Sequence, residues 1–124
     1  MITYIVLAGV AVFGVGLYFK SSGQKSYKDV TIKDLKELMK DKNTVLIDVR
    51  TPKEMKEGVI GKPLKIELGT TMQEKLKPLK KDKKYILYCR SGRRSILASR
   101  MMTNMGFKDV NNLHGGYNAW VSEK

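Results

Sequence analysis

The chain is 124 residues long, which allows one globular domain and a short appendage but not two full domains. With 42% hydrophobic and 29% charged residues it reads as folded, and its formal charge of +12, spread over scattered lysines, suits a solvated surface or attraction to small anions or anionic headgroups. No basic stretch is interleaved with aromatics, so no nucleic-acid partner is expected. A single cysteine, Cys89, excludes an intramolecular disulfide, and with one histidine neither a metal cluster nor another cofactor is expected.

Ile2 to Phe19 carries no charged side chain. As a helix it would span about 27 Å, near the thickness of a bilayer core. No Lys or Arg precedes it, which argues against a cleaved signal peptide. Lys20, Lys25 and Lys28 follow it, which places what comes next on the cytoplasmic side. The expectation is a single-pass membrane protein: an anchor over 1–20 with the lipid bilayer as partner of residues 2–19, a polar linker over 21–27, and a cytoplasmic domain over 28–124.

In that domain, Thr31 is a helix cap with Asp34 in the capping-box position, and a helix of about three turns runs to near Lys40. Thr44 to Val49 is a continuous apolar run rich in β-branched residues, the pattern of a strand buried on both faces. Thr51-Pro52-Lys53-Glu54 starts a short helix that Gly58 ends. A weaker strand covers Leu64 to Leu68, a short helix Met72 to Leu79, and a second buried strand Tyr85 to Tyr88. Ser95 to Met105 is helical, with Leu97, Met101 and Met105 spaced four apart and Gly106 at its end. Asp109 to Leu113 is the last strand and Gly116 to Val121 a closing helical turn. Alternating β and α elements predict a parallel sheet with helices on both faces, and a site beyond the C-terminal ends of its strands.

Cys89 falls at such an end. A strand stops, Cys89-Arg90-Ser91-Gly92-Arg93-Arg94 turns, and a helix begins with Ser95 as its cap. Backbone N–H groups at a helix start favour an anion, so a thiolate there is stabilised and more nucleophilic at neutral pH. Gly92 gives the turn its freedom, and Arg90, Arg93 and Arg94 add positive charge suited to a small anionic substrate. On these residues alone, an inert buried cysteine ahead of a charged helix start fits as well.

The segment Tyr88-Cys89-Arg90-Ser91-Gly92-Arg93-Arg94-Ser95 resembles the active-site loop of single-domain rhodaneses. Leu46 to Glu54 resembles the family's first signature, and Gly106-Phe107, Val110 and Leu113 to Trp120 its C-terminal one. The family usually has Gly-His-Ile after the first short helix; here Gly58-Val59-Ile60 stands instead. The resemblance implies a five-stranded parallel α/β domain whose cysteine, Cys89, takes sulfur from a donor such as thiosulfate as a persulfide. The loop amides hold the outer sulfur, which passes to cyanide, a thiol or a protein cysteine. Asp48 and Arg50 are expected to support the site, Trp120 to lie in the core, and His114 to be a solvated surface residue. Two other readings compete. Phosphatases and arsenate reductases cradle an oxyanion with Cys-x5-Arg, but that arginine position is Ser95 here. A membrane-tethered binding module without turnover is the third reading.

Overall fold

The computed structural model describes residues 26–123, in which strands and helices alternate. In chain order they are β1 (Lys28–Val30), α1 (Ile32–Leu38), β2 (Thr44–Asp48), α2 (Pro52–Met55), β3 (Leu64–Lys65), α3 (Met72–Leu76), β4 (Lys84–Tyr88), α4 (Arg93–Asn104), β5 (Asp109–Leu113) and α5 (Gly116–Ser122). The strands form one parallel sheet in the order β1-β5-β4-β2-β3.

The period-2 alternation of strand side chains divides the core in two. Ile47, Tyr85 and Leu87 point to one face and pack with Met72 and Leu76 of α3 and Ala98 and Met102 of α4. Leu46, Ile86 and Tyr88 point to the other and pack with Leu35 of α1, with Tyr117 and Trp120 of α5 at the margin. Burial on both faces explains why β2 and β4 read as unbroken apolar runs. The capping boxes anticipated at Thr31/Asp34 and Thr51/Glu54 both form, each with reciprocal side-chain and backbone bonds.

Several expectations differ from the structure. β1 was not anticipated: three residues with one buried side chain give too little pattern to read. β3 is two exposed residues rather than five, because Leu64–Lys65 lies at the sheet edge; Ile66 and Leu68 then reach back to β2 through the Asp48 and Val49 carbonyls. α3 stops at Leu76, short of the expected Leu79. α4 begins at Arg93, capped by Gly92 in the left-handed region (φ 110°), so Ser95 sits inside its first turn rather than at the cap. Its buried face is Ser95, Ala98, Ser99 and Met102, while Leu97 is 55% exposed. Small residues face the sheet because the helix lies close to it, a criterion that a search for large apolar side chains misses. Tyr27, placed in the linker by sequence, is buried in the core.

The proposed anchor, residues 2–19 with the lipid bilayer as partner, lies outside the described residues. The expected location, a single-pass membrane protein with a cytoplasmic domain, is corrected: no helix among the described residues is long and apolar enough to cross a membrane.

Candidate active site

Cys89 is the first residue after β4, at the C-terminal end of a central strand. It is buried, at 1% exposure. The chain leaves β4, turns through Arg90, Ser91 and Gly92, and enters α4 at Arg93. Gly92 N–H donates to Cys89 Sγ at 3.0 Å, and Ser95 Oγ lies 3.4 Å from the same sulfur. Burial pushes the thiol pKa up. The Ser95 hydroxyl and the backbone N–H groups of Ser95, Gly92 and Arg94 more than offset it, so the pKa stands below the ordinary cysteine value.

The outward half of the turn is fixed from α5. Tyr117 N–H donates to the Cys89 carbonyl at 2.8 Å and Asn118 N–H to that of Arg90 at 3.0 Å. With these carbonyls drawn toward α5, the following amides are left to face the sulfur. The approach requires Gly116 (φ 55°), where a Cβ would collide with the Cys89 carbonyl and lie 2.7 Å from the Arg90 oxygen.

The three arginines do not form the open cationic rim that the sequence suggested. Arg90 Nε is 2.9 Å from Glu54 Oε2, and its Nη2 is 2.9 Å from Glu57 Oε1. Arg94 grips both Glu54 oxygens, at 2.7 and 2.8 Å. Bonds from Arg94 hold the Glu54 carboxyl far below the usual range against the opposing effect of burial, with Thr51 and Arg90 adding to them. Arg93 is exposed and enters none of these pairs, and Ser91 is likewise exposed. Two of the three guanidiniums are thus taken up by two carboxylates, and Arg93 stands outside these pairs.

Asp48 and Arg50 are fully buried and joined through Nε and Nη2, the shortest bond 2.8 Å. Arg50 Nη2 also donates to the Gly58 carbonyl at 2.7 Å, and its guanidinium lies 4.2 Å from the Tyr117 ring centroid. The pair therefore ties the end of β2 to the segment carrying Glu54 and to α5, both of which hold the cysteine loop. Neither residue hydrogen-bonds to the sulfur. His114 is exposed, and Trp120 is half-buried at the core margin with Lys36 Nζ 5.9 Å from its ring centroid. Sequence reasoning missed Glu54 as a partner of the loop, because its capping-box role already accounted for it. It also missed Asn112, whose Oδ1 lies 2.5 Å from Ser95 Oγ.

A buried, amide-wrapped thiol at a parallel strand's C-terminal end defines a class: α/β proteins that carry a cysteine in the loop between a central strand and the following helix. Comparison with known proteins narrows it. Residues 31–123 match the model of the Rhodanese-like domain. The chain is 40% identical over 97 residues to the putative sulfurtransferase YtwF of Bacillus subtilis, covering 77% of this chain and 92% of that protein. It is 38% identical over 92 residues to a putative mitochondrial thiosulfate sulfurtransferase of Schizosaccharomyces pombe, covering 64% of this chain and 65% of that one. Among solved structures, a rhodanese-related protein of Thermoplasma volcanium superposes with a TM-score of 0.71 at 32% identity, covering 78% and 93% of the two chains. The chain belongs to the rhodanese-like domain family. At family level the activity is sulfur transfer of the rhodanese type, between a sulfur donor and an acceptor.

Proposed function

We propose that this chain moves sulfane sulfur from thiosulfate to a thiophilic acceptor through a persulfide on Cys89. The Cys89 thiolate attacks the outer sulfur of thiosulfate, an S–S bond forms, and sulfite leaves with the electron pair of the broken bond. The acceptor, cyanide or a low-molecular-weight or protein thiolate, then attacks the outer sulfur, and Cys89 departs as a thiolate. The observation that carries this reading is the ring of donors around Sγ from Gly92, Arg94 and Ser95. It stabilises the thiolate as both nucleophile and leaving group. The outer sulfur of a persulfide stands about 2 Å beyond Sγ, which carries the reactive atom outward from a buried thiol. Arg90, Ser91, Gly92, Arg93, Arg94 and Ser95 form the loop that receives the donor; Asp48 and Arg50 keep its supports in place. The domain over 28–124 is the unit that does this.

The test is direct because the chain has one cysteine. After incubation with thiosulfate, intact mass should show an adduct of about 32 Da on Cys89, removed by a thiol or cyanide. Cys89→Ser should fold normally and transfer nothing. Full activity in Cys89→Ser would overturn the reading, and a stable fold with no adduct from any sulfane donor would favour the binding-module alternative. For phosphate or arsenate chemistry no observation speaks, since Ser95 stands where a Cys-x5-Arg cradle needs its arginine.

A further inference from the structure

Ser95 has one hydroxyl proton and three acceptors around its oxygen: Asn112 Oδ1 at 2.5 Å, the Gly92 carbonyl at 3.3 Å and Cys89 Sγ at 3.4 Å. Only one can take it at a time. Asn112 offers oxygen rather than nitrogen because its Nδ2 donates to Asp29 Oδ1 at 3.1 Å. Ser95 and Asn112 are 0% and 2% exposed, so no bulk water is at hand to replace a lost partner. We infer that Asn112 is a positioning residue: it holds the Ser95 proton while Cys89 is a thiol and yields it when the sulfur becomes an anion. In the thiol state the Ser95 lone pairs face the S–H. When sulfur is anionic the hydroxyl turns to donate to it, and Asn112 Oδ1 is left buried without its donor. Asn112 therefore sets a cost on each appearance of the sulfur anion, before the attack on the donor and again when Cys89 leaves.

The charged groups around this chain of contacts are Arg94 on α4 with its partner Glu54 on α2, the Asp48–Arg50 pair at the end of β2, and Asp29 on β1 behind the amide. Of these, Asp29 is the one that hydrogen-bonds to Asn112. Substituting Asn112 changes the Ser95 proton's options and takes one donor from Asp29, without removing a charge, and the Ser95→Ala background separates the two effects. The catalytic meaning of the inference rests on Cys89 as the sulfur carrier, but its test does not.

Alkylation of the full chain by iodoacetamide across the pH range reports Cys89 alone, since no other cysteine exists. Asn112→Leu and Asn112→Ala, which remove the acceptor with and without preserving volume, should each speed alkylation about threefold below the midpoint of the profile, the effect of one redirected hydrogen bond. Ser95→Ala should slow it in the same range. In a Ser95→Ala background, Asn112→Leu should change nothing. An Asn112 variant that alkylates at the parent rate or more slowly would overturn the inference. So would the same acceleration in the Ser95→Ala background, because the effect would not then run through the hydroxyl. Loss of sulfur transfer is scored separately, by the Cys89 persulfide mass, so a failure here and a failure of the sulfur-carrier reading give different records.

Discussion

At the scale of single residues, the charge balance of the site turns on Glu54. It accepts from Arg90 and from both terminal nitrogens of Arg94 while its carboxylate also closes the helix cap at Thr51. Its pKa is held far below that of a free glutamate, first by Arg94. A carboxylate with a depressed folded pKa contributes stability that is complete above its unfolded value and is lost as pH falls toward the folded one. Glu54→Gln should therefore cost about 1 kcal/mol at neutral pH, a figure kept low because both arginines are a third or more exposed. The gap between parent and variant should shrink as pH falls below about 4.5, and denaturant unfolding at several pH values measures it. Arg93 behaves differently, since it is exposed and outside these pairs. Arg93→Ala should raise KM for an anionic donor by two- to threefold, an effect about the size of one screened surface charge, and leave kcat intact. Steady-state kinetics at low and moderate salt separates the two, with the difference fading as salt rises.

At the scale of elements, the site depends on how α5 meets the turn after β4. Gly116→Ala forces a side chain against the Cys89 and Arg90 carbonyls at a positive φ. It should destabilise the domain by roughly 2 kcal/mol or more and reduce transfer beyond the loss of folded protein, as activity per folded molecule would show. Tyr88 links β4 to the segment after α2 by accepting from Ile60 N–H at 2.9 Å. Tyr88→Phe should leave that buried amide unpaired, at a cost of about 1–3 kcal/mol, read as a lowered thermal midpoint. What the sequence made legible follows from signal length. β2 and β4 are five-residue runs buried on both faces, and the caps at Thr31 and Thr51 are local motifs, so each could be read in place. β1 is three residues long and gains its identity only by pairing with β5. Cys89 and its loop were legible by position and by family resemblance. The pairing of Arg90 and Arg94 with Glu54 was not, because 36 and 40 residues separate the partners. β5 carries two adjacent asparagines, Asn111 and Asn112, which local propensity places in turns. They are tolerated in the sheet because their amides are met by the Tyr85 carbonyl, Asp109, Asp29 and Ser95.

At the scale of the whole molecule, both core clusters close within the described residues. A fragment starting at Ser26 should unfold in one cooperative transition and retain the Cys89 adduct with thiosulfate; a gradual melt would show that the preceding residues are needed. The strand order also fixes a timetable. β1 is hydrogen-bonded to β5, and Asp29 meets Asn112 across 83 positions of sequence. Emerging from a ribosome, β1 has no strand to pair with until β5 has been made, and β4 keeps one flank open for the same interval. Contacts closed at such separation form late and slowly. The groups that wrap Cys89 from β5 and α5 belong to that final stage, so a nascent chain carries its thiol without a finished cradle. Chains released before about residue 113 should therefore expose the β4 flank, be prone to strand-to-strand association, and hold a thiol that reacts like an ordinary cysteine.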